Sequence, residues 1–301
     1  MNIVMTGSTG LIGSALTDHF RKEGHKVTRM ARPVSLQKTG ESVVVWDAAA
    51  SVVDLSSLEG VDAVIHLAGA NIAARRWSAA YKEEIRLSRL RGTRFLSDSL
   101  VRLRRPPKVF ICASAVGFYG NLDPRVCADE STPRGQGFLA ELCEAWEKSA
   151  DVARQAGIRV IHLRTGVVLS PQGGALEKML PVFRLGLGGR LGNGCQMMSW
   201  VALDEVPWIV EHLMRSDQIA GPVNIVSPQS ISNAEFTKIL GLVLQRSVIL
   251  PVPSWAIRVM FTEMGETLLL GGARVLPEKL TDSGYTFRYP DLETFLRKIL
   301  R

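Results

Sequence analysis

Short apolar runs rich in Val and Ile recur along the chain, and stretches of helical length separate several of them. The runs predict β-strands at residues 3–5, 26–30, 42–46, 63–67, 109–113, 159–163 and 223–226. Residues 11–23 and 139–154 lie between such strands and have the length of helices. This alternation is typical of a parallel sheet covered on both faces. Continuous apolar strands such as "AVIHL" fit burial on both sides, so the pattern predicts a doubly wound α/β fold.

The pattern changes after Pro171, where "SPQGGALEKMLPVFRLGLGGRLGNG" packs glycines densely and shows little strand character. Irregular chain of this length is typical of a binding loop or lid, with a plain linker as the alternative. From about residue 250 the pattern predicts two or three helices and a hairpin-like strand pair. We predict two domains, which agrees with a length of 301 residues. Residues 1–170 would bind a nucleotide, and residues 171–301 would supply a substrate-cleft loop, a sheet-completing strand and a smaller C-terminal α+β part.

The composition is that of an ordinary globular protein, with 46% hydrophobic and 22% charged residues. No apolar run approaches the roughly 18 residues of a membrane-spanning helix, so no membrane association is predicted. The first residues pass directly into a strand without a secretory leader, which favours a cytoplasmic location. The cysteines form no Cys-x-x-Cys pair and the histidines show no metal spacing, so we predict reduced thiols and no metal site.

Positive charge is concentrated in one segment. The chain carries a formal net charge of +7, and residues 75–108 hold eleven Lys or Arg against three acids. Leu96, Leu100 and Leu103 recur there at helical spacing, which predicts an amphipathic helix with its cations in water. This interpretation is favoured over a nucleic-acid surface. Contact between some of these arginines and an anionic substrate is a third alternative.

A glycine pattern follows the first predicted strand. Gly7, Gly10 and Gly13 stand in "IVMTGSTGLIGSALTDHFRKEG", between that strand and a helix that ends near Gly24. Glycines at this spacing allow a tight turn, let the backbone approach a pyrophosphate and let the helix pack on the strand. The helix N-terminus offers free N–H groups to phosphates. At the start of an alternating α/β chain, this pattern predicts a dinucleotide site of Rossmann type.

The end of the second strand indicates which dinucleotide is bound. In such folds a residue about 20 positions past the glycines reads the adenosine ribose. No Asp or Glu occurs between Glu23 and Glu41, whereas Arg29 and Arg32 lie where they could pair with a 2′-phosphate. We predict NADP(H) in preference to NAD(H), with Arg32 as a binding residue.

Four motifs together resemble the extended short-chain dehydrogenase/reductase superfamily. They are the glycine spacing, "HLAG" at 66–69, "SAVGFYG" at 114–120 and "LRTGVVLSPQGG" from residue 163. The stretches "RRWSAAYKEEIRLSR", "MLPVFRLGLGGRLGNG" and "LLLGGARVLPEKL" are similar to an epimerase-family branch, related by name to NAD-dependent epimerase/dehydratases and nucleotide-sugar epimerases. The resemblance covers nearly the whole chain and implies a Rossmann-type doubly wound parallel sheet.

The resemblance implies three groups of cofactor-binding residues. The group that would cradle the pyrophosphate is Gly7, Thr9, Gly10, Leu11, Ile12 and Gly13. The group that would pass beside the adenosine and its ribose is Leu67, Ala68 and Gly69. The group that would lie near the nicotinamide is Thr165, Gly166 and Val167. Strand carboxyl ends are where an α/β crevice collects its ligand, so these placements agree with the strand pattern.

The resemblance also implies a proton-transfer pair that this chain lacks. In the superfamily a Ser or Thr holds the substrate oxygen, a Tyr transfers a proton, and a Lys four residues later lowers the Tyr pKa. Ser114 matches the serine, but spacing puts Phe138 and Leu142 at the Tyr and Lys positions. None of the chain's tyrosines has a lysine four residues later: Tyr81, Tyr119, Tyr285 and Tyr289. Ser114 and Tyr119 are therefore the catalytic candidates, with Glu141 and Cys143 as neighbouring alternatives.

Three functions stay open at this point. The first is an NADP(H)-dependent carbonyl oxidoreductase or nucleotide-sugar epimerase, in which other groups act on a small-molecule substrate. The second is a sensor that binds NADP(H) without turnover. The third is a scaffold protein that uses the basic helix of residues 75–105 as a docking surface or as part of a homodimer. Consumption of NADPH, binding without consumption, and a salt-sensitive complex that ignores cofactor would distinguish them.

Overall fold

The computed structural model of the chain describes residues 1–31, 43–48, 50 and 52–300. The strands are β1 (Asn2–Thr6), β2 (Lys26–Ala31), β3 (Val43–Asp47), β4 (Val52–Val53), β5 (Ala63–His66), β6 (Val109–Ala115), β7 (Cys127–Ala128), β8 (Arg159–Thr165), β9 (Val167–Ser170), β10 (Met197–Met198), β11 (Trp200–Ala202), β12 (Gly221–Ile225), β13 (Ile231–Ser232) and β14 (Arg274–Val275). The α-helices are α1 (Leu11–Lys22), α2 (Ala79–Leu100), α3 (Phe138–Lys148), α4 (Asp151–Gln155), α5 (Gly174–Arg184), α6 (Val206–Arg215), α7 (Asn233–Leu244), α8 (Ser254–Leu268), α9 (Glu278–Asp282) and α10 (Leu292–Leu300).

Within the described residues, the main sheet has eight strands in the order β12-β8-β6-β5-β1-β2-β3-β4. All seven predicted strands belong to it and pair in parallel, while β4 is antiparallel to β3. The prediction of a Rossmann-type doubly wound sheet is therefore confirmed. The chain runs outward from β1 through β2 and β3, and then returns to the other side of β1 as β5. The carboxyl ends of β1 and β5 flank this reversal, which is where folds of this class bind their ligands.

Alternating side chains of β1 belong to two hydrophobic cores, one on each face of the main sheet. Ile3 and Met5 pack with Leu16 of α1 and with the apolar side of α6 on one face of the sheet. Val4 packs on the other face with Leu96 of α2. All four residues of β5 are buried, as expected for a strand covered on both faces. This burial on both sides holds the strand ends rigidly at the reversal point.

The predicted basic amphipathic helix is α2. Its Leu96 and Leu100 side chains are fully buried, which confirms the apolar face. Arg89 departs from the prediction that the cations lie in water. Its guanidinium donates to the Ala70 carbonyl over 3.0 Å and lies 5.0 Å from the Trp146 ring centroid. Burial lowers the pKa of Arg89, and the side chain ties α2 to the loop after β5.

A third core lies in the C-terminal part of the chain, between α5, α7 and α10. Trp200 is fully buried there and stacks on Phe295 with 5.6 Å between ring centroids. The prediction that the segment after Pro171 is irregular was wrong for α5. Leu176 and Leu180 recur at helical spacing and are buried against this core, which outweighs the glycines that flank the helix.

The last segment contains the helices α8, α9 and α10, as predicted, but the predicted hairpin-like strand pair was wrong. Strand β14 pairs in parallel with β7, which lies more than a hundred residues earlier in the chain. Strand β12 pairs with β8 at one edge of the main sheet. The division into two domains at residue 170 stays a prediction.

A buried carboxylate attaches the tail of the chain to the main body. Glu205 is 1% exposed and precedes α6. It accepts hydrogen bonds from the Tyr285 hydroxyl over 2.5 Å and from the Tyr289 backbone N–H over 2.8 Å.

Within the residues that the structure describes, no helix combines the length and the apolar character needed to cross a bilayer.

Candidate cofactor and substrate site

The turn after β1 is closed by glycines that leave no room for a side chain. Gly7 has a positive φ of +69°, and a Cβ built there would lie 2.7 Å from the carbonyl carbon of Leu67. A Cβ on Gly13 would lie 2.2 Å from the Gly7 carbonyl oxygen. These close approaches are those expected when a strand, a tight turn and a helix meet at a phosphate site. Gly7 and Gly13 are thus required by backbone contacts within the chain.

Helix α1 begins at this turn with unsatisfied donors. Its N-cap Gly10 makes no side-chain cap, and the first helical bond runs from Ser14 N–H to the Gly10 carbonyl over 2.8 Å. Within the described residues, the N–H groups of Leu11, Ile12 and Gly13 have no acceptor. Free N–H groups and the positive end of the helix dipole favour an anion at this position. The predicted pyrophosphate residues therefore form one electropositive turn.

The end of β5 forms the wall beside this turn. His66 is fully buried, and its Nδ1 lies 2.6 Å from Thr6 Oγ1 of β1. Burial lowers the pKa of His66 to about 4, so the imidazole is neutral. Leu67 and Ala68 follow directly, and a Cβ built on Gly7 would lie within 2.9 Å of their backbone atoms. The structure therefore brings the predicted adenosine-side residues against the glycine turn.

Arg29 lies beside the same turn. Its Nε donates to Ser8 Oγ over 3.0 Å, which places a guanidinium next to the glycine loop at the end of β2. The other predicted phosphate-binding residue, Arg32, lies outside the described residues. Of these two arginines, Arg29 is the one whose position near the expected 2′-phosphate the structure describes.

The predicted nicotinamide side lies across the sheet, where β8 ends. Gly166 N–H donates to the Ile225 carbonyl over 3.1 Å, and Val167 N–H donates to the Ser199 carbonyl over 2.8 Å. A Cβ on Gly166 would lie 2.5 Å from the Ser199 oxygen, so only glycine fits this turn. Thr165 ends β8 immediately before it. This turn holds Val167 at the edge of the neighbouring cavity.

A cavity of about 320 Å³ adjoins this turn. Its walls come from the loop after β6, the start of α3, helix α5, the loop before β11 and the end of α8. Phe138, Leu139 and Met179 are among its apolar lining residues, and Asn121 and Gln136 are among its polar ones. Pockets that bind small molecules are typically apolar with a few polar groups.

Phe138 and Leu142 take part in apolar packing at the start of α3. The Phe138 ring lies 5.1 Å from the Trp77 ring in an edge-to-face arrangement. Leu142 is 4% exposed and belongs to a cluster with Trp77, Ile85 and Met264. Neither side chain can transfer a proton. The two positions that would carry Tyr and Lys in the superfamily therefore join α2 and α8 through hydrophobic contact.

An ion pair between Lys82 and Glu263 lies next to the Phe138 ring. Lys82 Nζ lies 4.7 Å from the ring centroid and 2.9 Å from each carboxylate oxygen of Glu263. Glu263 lines the cavity, whereas Lys82 is not among its described lining residues. The pair links α2 to α8 and partly neutralises the charge of the carboxylate at the cavity.

Ser114 and Tyr119 belong to a buried hydrogen-bond network. Ser114 Oγ donates to the Glu147 carboxylate over 2.7 Å, and Arg164 donates two bonds of 2.9 Å to the same carboxylate. Arg164 also donates to the Tyr119 hydroxyl over 3.0 Å. That hydroxyl donates to Asn224 Oδ1 over 2.7 Å. Tyr119 is fully buried and Ser114 is 5% exposed, so both hydroxyls are held within the protein.

This network changes the interpretation of both catalytic candidates. Among the described residues that line the cavity, neither Ser114 nor Tyr119 is present. Burial raises the pKa of Tyr119, although Arg164 acts in the opposite direction. Burial likewise raises the pKa of Cys143 to about 12, so its thiol is protonated. The geometry supports structural roles, and a catalytic role for Ser114 or Tyr119 stays a prediction.

Sequence reasoning missed Glu147, Arg164 and Asn224, which hold this network together. The available signal was Arg164 itself, a charged residue inside the apolar strand "RVIHLRT". Buried charges are generally paired, so an arginine in a central strand requires a carboxylate from elsewhere in the fold. Its partner lies 17 residues earlier on α3, and no local spacing reveals that contact.

The chain matches the NAD dependent epimerase/dehydratase family over residues 3–225 and a domain of unknown function (DUF1731) over residues 252–299. An epimerase family protein of Mycobacterium bovis is 42% identical over 287 residues, which cover 95% of this chain and 93% of that protein.

Two solved structures resemble the fold over nearly the whole chain. The crystal structure of human epimerase family protein SDR39U1 with NADPH has a TM-score of 0.89 and 33% identity, and covers 99% of each chain. A nucleoside-diphosphate sugar epimerase from Corynebacterium glutamicum has a TM-score of 0.79 and 33% identity. That match covers 100% of this chain and 58% of the other.

Proposed function

Because the chain belongs to the NAD-dependent epimerase/dehydratase family, we propose that it binds NADP(H) and acts as an oxidoreductase on a carbonyl or alcohol substrate. One observation carries the proposal: the turn between β1 and α1 offers three free N–H groups beside glycines that admit no side chain. The human relative, 33% identical, was solved with NADPH.

The phosphorylated cofactor is favoured by charge. The Arg29 guanidinium lies beside Ser8 of the glycine loop, where a 2′-phosphate on the adenosine ribose would gain a charge-assisted hydrogen bond. The sequence between Glu23 and Glu41 contains no acid that could accept ribose hydroxyls instead. NADP(H) therefore fits this loop better than NAD(H).

The residues near the cavity suggest how a substrate would be held. Bound nicotinamide would donate a hydride to a carbonyl substrate or accept one from an alcohol substrate, and that chemistry belongs to the cofactor. Val167 forms the wall between the turn after β8 and the cavity. The amides of Asn121 and Gln136 line the cavity and can donate hydrogen bonds to a substrate oxygen. Since Phe138 and Leu142 cannot transfer protons, water that reaches the cavity would supply the proton in a carbonyl reduction and accept it in an alcohol oxidation. Carbonyl reduction would need the reduced nicotinamide as hydride donor, whereas epimerisation would first need the oxidised nicotinamide as hydride acceptor, so either activity fits an NADP(H) site.

The second candidate function is NADP(H) binding without turnover. It is favoured by the packing of Phe138 and Leu142 in an apolar cluster and by the burial of Ser114 and Tyr119 in a structural network. A protein of this kind would keep the glycine turn and would not need a Tyr-x-x-x-Lys pair, and the sequence contains no such pair.

A titration of the protein with NADPH and NADH, followed by nicotinamide fluorescence, tests the cofactor. We expect saturable binding that is tighter for NADPH. Absence of binding to either nucleotide would contradict both candidate functions. Absorbance at 340 nm with carbonyl substrates then separates them, because only the oxidoreductase consumes bound NADPH.

The setting of this activity is also part of the proposal. We place the protein in the cytoplasm, where the cysteines would stay reduced; all four are free in the structure. We also propose a homodimer, which the superfamily resemblance implies. Sedimentation velocity would test the dimer, since a monomer at micromolar concentration would contradict it.

A further inference from the structure

The charges of the residues that line the cavity beside Val167 restrict which ligand the cavity can bind. Among the described residues that line it, none is Lys, Arg or His. Among these described residues Glu263 is the one ionisable group, and the Lys82 ammonium lies 2.9 Å from both of its carboxylate oxygens. A diphosphate placed in this cavity would lose hydration without gaining a cation, and it would meet a carboxylate of its own sign.

The size of the cavity also disfavours a nucleotide sugar. Its volume of about 320 Å³ lies at the lower end of the range of about 300–1,000 Å³ that small-molecule pockets span. A nucleotide sugar must place a base, two sugars and a diphosphate, which favours a larger and more polar groove. The volume suits one ring with a short substituent.

The walls are apolar and deformable. Three methionines line the cavity, Met179, Met197 and Met198, together with Phe138 and several leucines. Methionine side chains are unbranched and polarisable, so they adapt to flat apolar molecules and contact aromatic rings favourably. The lining therefore favours an apolar body for the ligand.

The polar groups of the lining divide into two sets. Gln196 donates to the backbone carbonyls of Leu191 and Leu269, and Asn233 accepts from the Leu191 N–H. These side chains are used in holding the walls. In contrast, Asn121 and Gln136 make no hydrogen bond within the described residues, so their amides are available to a ligand oxygen.

The first turn of α3 provides a further donor for a neutral oxygen. Its N-cap Gly137 lines the cavity and forms no side-chain cap, so N–H groups of the first turn are left for a carbonyl oxygen. Glu141 stands in the same turn and contributes negative charge that disfavours a full anion.

We infer that this cavity binds a small, uncharged, predominantly apolar carbonyl compound or alcohol, and not a nucleotide sugar. The inference rests on the proposed function, because the cavity is taken as the substrate side of an NADP(H) site. It specifies the substrate class through Met179, Asn121 and Gln136.

A binding experiment with matched probes tests this inference. Acetophenone and benzoylformate share a phenyl ketone and differ by a carboxylate, and UDP-glucose represents nucleotide sugars. Each is titrated into the 301-residue protein saturated with NADP⁺, with saturation-transfer difference NMR as the readout, so that no turnover is needed. We expect acetophenone to bind at least about tenfold more tightly than benzoylformate and UDP-glucose.

A charge placed in the cavity should reverse this order. Met179→Arg puts a guanidinium into the lining, so benzoylformate should bind more tightly than acetophenone in this variant. Val182→Arg is the matched control, because Val182 is on the same helix, 47% exposed and not among the lining residues. The control should keep the wild-type order.

Different failures would have different meanings. If NADP⁺ does not saturate the protein, the proposed function itself fails. If NADP⁺ binds and the wild type prefers benzoylformate or UDP-glucose, or binds no probe, the inference about the substrate class is overturned. Equal effects of Met179→Arg and Val182→Arg would overturn the assignment of this cavity as the site.

Discussion

The glycine turn and the start of α3 face opposite physical requirements. At the glycine turn, backbone atoms make the contacts, and Gly7 and Gly13 are needed because they have no side chain. At the start of α3, superfamily chemistry would need two ionisable side chains, and Phe138 and Leu142 provide none. The helix itself is retained and packs by an apolar cluster. The comparison teaches that backbone contacts determine which residues fit at the glycine turn, whereas hydrophobic packing determines the environment of Phe138 and Leu142 at the start of α3.

The largest expected effect concerns the buried ion pair between Glu147 of α3 and Arg164 of β8. Arg164→Met would leave Glu147 buried without its cation, so the free energy of unfolding should fall by about 3–5 kcal/mol. Urea denaturation measures this loss. Arg154→Met is the control, since Arg154 pairs with Asp151 at the surface and should cost at most about 1 kcal/mol. Equal losses in the two variants would show that the network does not support α3.

At the glycine turn, a negative charge should abolish cofactor binding. Gly10→Asp places a carboxylate at the N-terminus of α1, so NADPH affinity should fall at least about a hundredfold, or roughly 2.7 kcal/mol. Fluorescence titration gives the affinity, and thermal melting checks the fold. Gly10→Ala separates bulk from charge, because its Cβ would lie 3.4 Å from the Gly7 oxygen and should cost much less. Unchanged NADPH affinity in folded Gly10→Asp would sink the site assignment.

Restoring the missing pair should succeed at one position and fail at the other. Leu142→Lys buries an ammonium among Trp77, Ile85 and Met264, and should reduce the free energy of unfolding by about 2–4 kcal/mol. Phe138→Tyr keeps the ring at the edge of the cavity and should cost less than about 1 kcal/mol. Denaturant titration compares the two variants. If Leu142→Lys lowers the free energy of unfolding no more than Phe138→Tyr does, the apolar cluster does not exclude a lysine at residue 142.

The smallest expected effect concerns cofactor choice at the glycine turn. Arg29→Ala should reduce the preference for NADPH over NADH by about tenfold, because one charge-assisted bond to the 2′-phosphate is lost. Parallel titrations with both nucleotides measure the ratio. Lys26→Ala, at the exposed start of the same strand, should leave the ratio unchanged. Equal losses for both nucleotides in Arg29→Ala would remove the 2′-phosphate role only.

Local patterns in the sequence determined most of the fold and the position of the glycine turn. Strands buried on both faces appear as short apolar runs, and all seven predicted runs are strands of one sheet. The glycine spacing was enough to place the turn before α1, since the requirement lies in the backbone at adjacent positions. Counting tyrosines and lysines shows, without any coordinates, that the chain contains no Tyr-x-x-x-Lys pair.

Tertiary structure alone decided the environment of the catalytic candidates and the character of the cavity. The Tyr119 hydroxyl meets Asn224 across 105 residues, and the Ser114 hydroxyl meets Glu147 across 33. Lys82 reaches Glu263 across 181 residues, which sets the charge at the cavity. Hydrophobic periodicity reports which face of an element is buried, but not which distant polar group faces it there. Burial and pairing of charges depend on such distant contacts, so they emerge only when the elements pack together.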